Sequence, residues 1–480
     1  MRRAPLVLAL AVLLGGPTVL AFFSGGYFGQ PRLVAGIVAC VLLVVGAVLS
    51  PAPLPRSLGG RLALGGLALL AVLTAVSIAW APSATRAVAD SERLLLYVAA
   101  LAAAAALLRS PGALRLLEPV FGAGVLVVML YGLSDRLLPG IVDLTASLGA
   151  VGRLEQPLSY WNATGALAAT GVILWVRVAG DATRSAALRA AGAAAAVPIG
   201  LALYLSFSRG AIGAVVAGVA ALFLLAPTRA QLRAIAIAFV AIGVCSAVAS
   251  GLDGVRELAR GGDSGQGAVM LAVLVVAMLA SAAATRLFAR REPSPEAAAA
   301  PLFTPGRGHL AAALLLLLLV VVVASGALHE RHTVREPAAG ANNQRLTSLQ
   351  STRYSYWRVA ARAFAHHPVV GLGSGGFAAE WLRERDTPDA ANDAHSLYVE
   401  TAAELGVLGL GALALFLAGA GLSSAAAYRR APVAATGAVA AVAAWAVHAG
   451  LDWDWEMPAV TLPALILLAA LIAASERETA

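Results

Sequence analysis

The sequence predicts an all-α polytopic membrane protein of about fourteen transmembrane helices, with a helical extracytoplasmic loop. Three observations carry that prediction. Of 480 residues, 60% are hydrophobic and only 12% charged, with a mean hydropathy of +0.82. Apolar stretches of roughly 20 residues, the length a helix needs to cross the hydrocarbon core, recur along the whole chain. The arginines concentrate in alternate connecting segments, as they do when successive loops lie on opposite sides of a bilayer.

The expected spans are 5–23, 32–50, 60–80, 94–108, 117–134, 160–178, 187–206, 210–226, 231–250, 268–287, 309–327, 403–423, 431–450 and 459–475. The first reads as a span and not as a cleaved signal peptide, because no small-residue cleavage site and soluble domain follow it. The stretch 94–108 contains a long run of alanine, a residue only marginally hydrophobic. Many spans are rich in Ala and Gly, which lets helices pack closely in a membrane. The chain divides into N-terminal spans with a first large outside loop (1–159), central spans (160–327), an extracytoplasmic loop expected to be catalytic (328–402) and C-terminal spans (403–480).

Charge sets the orientation. With the N-terminus in the cytoplasm, the inside segments hold 18 arginines, the short outside loops 8 and the long loop 328–402 another 8. That bias in short loops is what orients a polytopic chain, so both termini face the cytoplasm and 328–402 faces out. All 34 basic residues are arginine, and the net charge of +8 sorts by side of the membrane, which excludes a nucleic-acid partner. Cys40 and Cys245 both fall within spans, so neither a disulfide framework nor a thiolate metal site is expected. The segment 288–308 reads as a Pro- and Ala-rich cytoplasmic linker, and 331–348 as a polar, disordered-looking entry to the long loop.

Charge, aromatic residues and histidine collect between Ser351 and Leu410. Polar groups beside membrane spans are expensive to hold near lipid, so such a cluster is a functional-site candidate. Ser351 caps a helix expected over 352–366, with Trp357, Ala360, Ala361 and Phe364 as its apolar stripe. Pro368 ends it, Gly371, Gly373, Gly375 and Gly376 form a turn-rich passage, and a second short helix spans 377–385. His366 and His367 read as shaping the turn before Pro368.

The order Arg353, Trp357, Ala360, Phe364, His367-Pro368, Gly371 and Gly373, followed by His395-Ser396, Tyr398, Glu404-Leu405-Gly406 and Gly409, resembles the O-antigen ligase/polymerase family of bacterial envelope proteins. Ser206-Phe207-Ser208-Arg209-Gly210 looks like that family's Ser-Arg-Gly turn, and Arg153 to Asn162 like its Arg…Asn segment before a span. The resemblance covers residues 150–460. It implies a helical, carrier-lipid glycosyltransferase-like architecture in the bacterial cytoplasmic (inner) membrane, with the active site facing outside. It implies a donor glycan on a polyprenyl diphosphate such as undecaprenyl diphosphate, and an acceptor hydroxyl on a glycan, a lipid or a protein. It implies no metal and no cofactor.

The residue chemistry agrees. A departing polyprenyl diphosphate develops negative charge, and guanidinium forks bind phosphate oxygens bidentately while staying charged. Arg353 and Arg209 are the candidate catalytic arginines. Arg209 also reads as a snorkelling span end, and Arg153 as an interfacial Arg beside Trp161. His395 is the candidate general base for the acceptor hydroxyl. Arg153, Asn162, Trp357, Arg358 and Glu404 are candidate substrate-binding residues. The acidic loop Asp452-Trp453-Asp454-Trp455-Glu456, near His448, lines the acceptor cleft or forms an aromatic interface belt. Ligase and repeat-unit polymerase share this chemistry. A transporter or flippase is the reading from another class, but it would place ionisable residues at mid-span, where this chain has almost none.

Overall fold

A computed structural model describes residues 3–258, 264–292, 294, 300, 302, 340–347 and 350–477. The expected span 309–327, and parts of the segments 288–308 and 331–348, lie outside the described residues. Among the described residues seventeen α-helices form, with no β-strand beyond an isolated bridge between Pro139 and Val142. They are α1 (Arg3–Ala21), α2 (Gly29–Leu49), α3 (Leu58–Ser77), α4 (Ala84–Leu107), α5 (Ala113–Leu137), α6 (Trp161–Gly180), α7 (Ala186–Leu205), α8 (Arg209–Leu225) and α9 (Arg229–Ser250). After these come α10 (Asp253–Arg256), α11 (Ser264–Arg290), α12 (Gln344–Thr347), α13 (Arg353–His366), α14 (Phe377–Glu384), α15 (Leu397–Arg430), α16 (Pro432–Ala449) and α17 (Pro458–Ser475).

Eleven of these helices are long and apolar enough to cross a membrane. Two expected spans differ from that set. The alanine run at 94–108 is the C-terminal part of α4, whose first turns carry Arg86, Asp90, Glu92 and Arg93. The stretch at 210–226 is α8, at 17 residues shorter than the rest.

The chain folds into two compact units interleaved in sequence: Met1–Leu114 with Gln350–Ala431 and Ala446–Ala480, and Arg115–Leu349 with Pro432–Trp445. In the first unit α17 is the central helix, buried throughout, with α1, α4 and α15 against it. The C-termini of α1 and α3 and the N-termini of α2, α4, α15 and α17 fall at one end, where α13 and α14 sit. In the second unit α6 is the wholly buried element, packed by α7, α8 and α9. Near its C-terminus Arg184 reaches Glu118 at 2.5 Å and Asp181 at 3.3 Å, so the buried charges there are paired.

The helix α13 forms as its sequence predicts, but it buries a neighbouring face. Tyr356, Val359, Ala360 and Ala363 point into a small core with Phe377 and Trp381 of α14, Ala391, Ala394 and Ala403. Ala361 is exposed, and Trp357 and Phe364 are half-buried. The stripe shifts because Tyr356 has a double anchor: its ring meets Trp381 edge-on at 4.7 Å, and its hydroxyl donates to Asp389. Trp357 stays at the rim against Tyr354. Ser351 Oγ accepts from the Arg353 amide at 3.3 Å, although Thr352 occupies the cap position.

Long α15 is broken at Gly406, whose φ of 62° and ψ of −154° leave the helical region. The break admits the Pro368–Gly373 turn. Leu372 N donates to Ala403 O and Gly373 N to Glu404 O, while Val407 N donates to Pro368 O. A Cβ on Gly371 would collide with the Glu404 carbonyl, and one on Gly406 with Val369 O. Both residues have positive φ, so both positions require glycine.

Candidate functional site

The polar end of the first unit is built from three connections that fold onto one another. The Gly-rich turn before α14 is held by Glu404, whose carboxylate accepts from Gly375 N and Phe377 N at 3.0 Å each. Ser374 Oγ donates to Asp90 of α4 at 2.6 Å. Asp90 in turn pairs with Arg93 at 2.7 Å, and Arg93 with Glu456 at 2.8 Å. The expected substrate-binding residue Glu404 is therefore spent on the amides of the turn.

His395 precedes the cap residue of α15. Its φ is +57°, an uncommon backbone conformation outside glycine, of the kind that clusters at functional sites. Two local bonds hold it there: Glu400 Oε2 accepts from Ala394 N at 2.7 Å, and His395 Nδ1 lies 2.9 Å from Asp393 O. A carbonyl oxygen only accepts, so Nδ1 carries the proton and Nε2 is the basic nitrogen. The imidazole lies against the Tyr356 ring, centroids 5.0 Å apart. Burial lowers the His395 pKa, and nearby Arg353 lowers it further, while Asp452 and the Asp393 carbonyl oppose the shift. The neutral base is the resting form.

Arg353, at the first residue of α13, pairs with Asp452 in the loop before α17. Burial would raise the Asp452 pKa, but the Arg353 guanidinium leads the opposing contributions and the carboxyl is held below the ordinary range. Arg353, His395 and the acidic loop stand out in the sequence, but this pairing does not. The alternating Asp-Trp-Asp-Trp-Glu pattern was its only signal.

Other expected site residues lie elsewhere. Arg358 forms an exposed pair with Asp386 at 3.3 Å, and Arg362 one with Glu384 at 3.2 Å. Both face away from the buried side of α13. Trp357 keeps a half-buried place with its indole N–H buried and without a hydrogen-bond partner among the described residues.

Arg153, Asn162 and Arg209 belong to the second unit. Arg153 is buried, donates to Ala150 O and Gly149 O at 2.7 Å each, and lies 3.6 Å over the Trp161 ring. Those contacts brace its own loop. Asn162 is likewise buried and donates to Tyr160 Oη at 2.7 Å. Arg209 opens α8, half-buried, behind a Ser208 cap and a Phe207 with φ of +49°. Leu154 N donates to Leu205 O at 2.8 Å, which ties the Arg153 loop to the end of α7 beside that turn.

Asp393, Glu400 and Glu456 bring carboxylate oxygens within 4.8 Å of one another, the one group among the described residues with metal-ligand spacing. Arg93 already neutralises Glu456, and Glu400 is engaged by the Ala394 amide. Burial pushes Asp393 up to about 7 and Glu456 well above the carboxylate range, so protons share this cluster's charge.

Fold and site together define a polytopic helical membrane protein with an Arg–Asp pair and a neutral histidine at one end of its helices. Residues 262–416, about a third of the chain, match the family model described as O-Antigen ligase. That stretch is similar to the O-antigen ligase family, whose members work in glycan assembly. The matched stretch contains Arg353, Trp357, Arg358, His395 and Glu404. No curated protein matches the chain.

Proposed function

We propose that the chain transfers a glycan from a polyprenyl-diphosphate carrier to an acceptor hydroxyl at the outer face of the cytoplasmic membrane, as an O-antigen ligase. The observation that supports this most is the pairing of Arg353 with Asp452 beside a His395 whose hydrogen bond leaves Nε2 basic. In this reaction the acceptor oxygen attacks the anomeric carbon. Its proton passes to His395 Nε2, and the bond from the anomeric carbon to the diphosphate oxygen breaks with its electron pair leaving on the diphosphate. Asp452 orients the Arg353 fork, and the guanidinium stabilises the charge that develops on the leaving group. Arg209, at the positive N-terminal end of α8 in the second unit, is read as a separate candidate phosphate contact. The guanidinium supplies the positive charge here, so transfer is expected to withstand a chelator.

The test is purified protein in detergent with polyprenyl-diphosphate glycan, measuring carrier diphosphate released and glycan gained by the acceptor. A core-sugar acceptor and a repeat-unit acceptor offered in parallel separate ligase from polymerase. Neither product forming with any hydroxyl acceptor would overturn the proposal. The outward orientation predicts that an impermeant thiol reagent labels Asn342→Cys and not Ser294→Cys in intact cells, and the reverse pattern would refute it.

A further inference from the structure

The loop from Asp452 to Glu456 carries three acids, and each meets a different basic side chain. Asp452 pairs with Arg353 and Glu456 with Arg93, while Asp454 Oδ1 lies 3.0 Å from His448 Nδ1. The reaction above uses the first of these pairs and leaves the His448–Asp454 pair without a task.

That pair is almost entirely enclosed, His448 being 2% and Asp454 1% exposed. His448 stands in the last turn of α16, and its carbonyl accepts from Leu451 N at 2.8 Å and Asp452 N at 3.0 Å. Its side chain and its backbone therefore both grip the loop on which Asp452 sits. The other end of the loop is fixed through Trp455 O, which accepts from Tyr97 Oη at 2.8 Å and Thr461 Oγ1 at 2.6 Å. The charged groups facing His448 are Asp454, Asp452 and Arg353, and those facing Asp454 are His448, Asp452 and Arg353. Tyr398 packs on Gly450 from α15 and donates its hydroxyl to Ala446 O.

The pair is also incompletely satisfied. His448 Nε2 and Asp454 Oδ2 are buried with no hydrogen-bond partner among the described residues. Two apolar side chains would fill the same space without that penalty, so the polar pair is held against a local disadvantage.

We propose that His448 and Asp454 are positioning residues for glycan transfer, their Nδ1–H···Oδ1 bond fixing the loop so that Asp452 holds Arg353 and faces His395. The inference rests on the reaction proposed above. Displacing a supporting group by about 1 Å can lower turnover roughly a hundredfold without touching substrate.

The test compares His448→Asn, whose amide N–H stands close to where Nδ1–H stood, with the double variant His448→Leu/Asp454→Leu, which removes the pair without leaving a buried orphan charge. Two quantities are read for each: kcat and KM of glycan transfer, and the titration of His395 by NMR of histidine-labelled protein in nanodiscs, assigned with His395→Asn. His448→Asn is expected to keep kcat within about threefold and the His395 midpoint unchanged. The double variant is expected to lose tenfold or more in kcat with donor KM little changed. Its His395 midpoint should move to lower pH, because Asp452 no longer supports the imidazolium. A double variant with wild-type kcat and wild-type His395 titration would overturn the proposal, as would a His448→Asn as impaired as the double variant. The NMR arm needs no substrate. Failure of every form to transfer glycan would therefore count against the proposed reaction, while the His395 midpoint still decides the role of the pair. Should the double variant fail to fold, His448→Asn with Asp454→Leu, which again removes the bond, takes its place with the same expected outcomes.

Discussion

Arg353 and Asp452 form an ion pair across 99 residues of sequence, joining the first residue of α13 to the loop that precedes α17. Asp452 is wholly buried and the Arg353 side chain 19% exposed, so the aspartate is the fixed anchor of the pair. A carboxylate in that position does two things for an arginine. It selects one orientation of a flexible side chain, and it keeps the fork planar to the incoming oxygens.

Replacing Asp452 by Asn keeps the shape and removes the charge. Hydrogen bonds to charged groups contribute about 1.5–3 kcal/mol. Asp452→Asn should therefore lower glycan transfer by a factor of roughly ten to a hundred. Steady-state kinetics on protein whose melting transition is retained checks this. An unchanged kcat would separate Asp452 from the chemistry.

For His395 the expected signature is a pH profile. The base works only when neutral, so transfer falls as pH drops through its pKa. Burial lowers that pKa, which puts the acid limb below the ordinary histidine value of about 6.5. His395→Ala should cost roughly 10²–10⁴-fold in turnover and abolish the limb. A limb that survives in the mutant would assign it to another group.

The backbone interlock makes a separate prediction. Gly406→Ala and Gly371→Ala each place a Cβ against main-chain atoms at a positive φ. The strain alone is worth about 1–3 kcal/mol, and the clash adds to it. Both variants should show a lower thermal midpoint and poor recovery from the membrane. Gly421→Ala is the control, since its Cβ would meet nothing within 4 Å. A midpoint in the Gly406 and Gly371 variants equal to that of the control would contradict the interlock.

Arg358 and Arg362 supply the contrast. Exposed pairs such as theirs contribute about 0–1 kcal/mol. Arg358→Ala and Arg362→Ala should each leave transfer within about twofold of wild type, measured beside Asp452→Asn. A large loss would return Arg358 to the substrate-binding set.

Much of this architecture is legible in the sequence. Apolar length places most of the helices, because crossing a bilayer imposes a period no other constraint imitates. Pro368 and the glycines marked the turn before α14, and the position of His395 before a helix was plain. What the sequence hid was tertiary. The buried face of α13 depends on the aromatic contact of Tyr356 with Trp381 and its hydroxyl bond to Asp389, neither of which has a periodicity. Arg153 reads from the sequence as a phosphate ligand or an interfacial Arg beside Trp161, and its bonds to the Ala150 and Gly149 carbonyls have no sequence signature. The bonds of Glu404 to the amides of Gly375 and Phe377 are hidden in the same way.

The central claim is that a guanidinium fork, and not positive charge alone, stabilises the departing diphosphate. Arg353→Lys tests it most directly, in purified protein given polyprenyl-diphosphate glycan and a hydroxyl acceptor, with carrier diphosphate release followed in time. The account predicts that the lysine variant folds, keeps its melting transition and releases carrier at least tenfold more slowly than wild type. Release at the wild-type rate would contradict it.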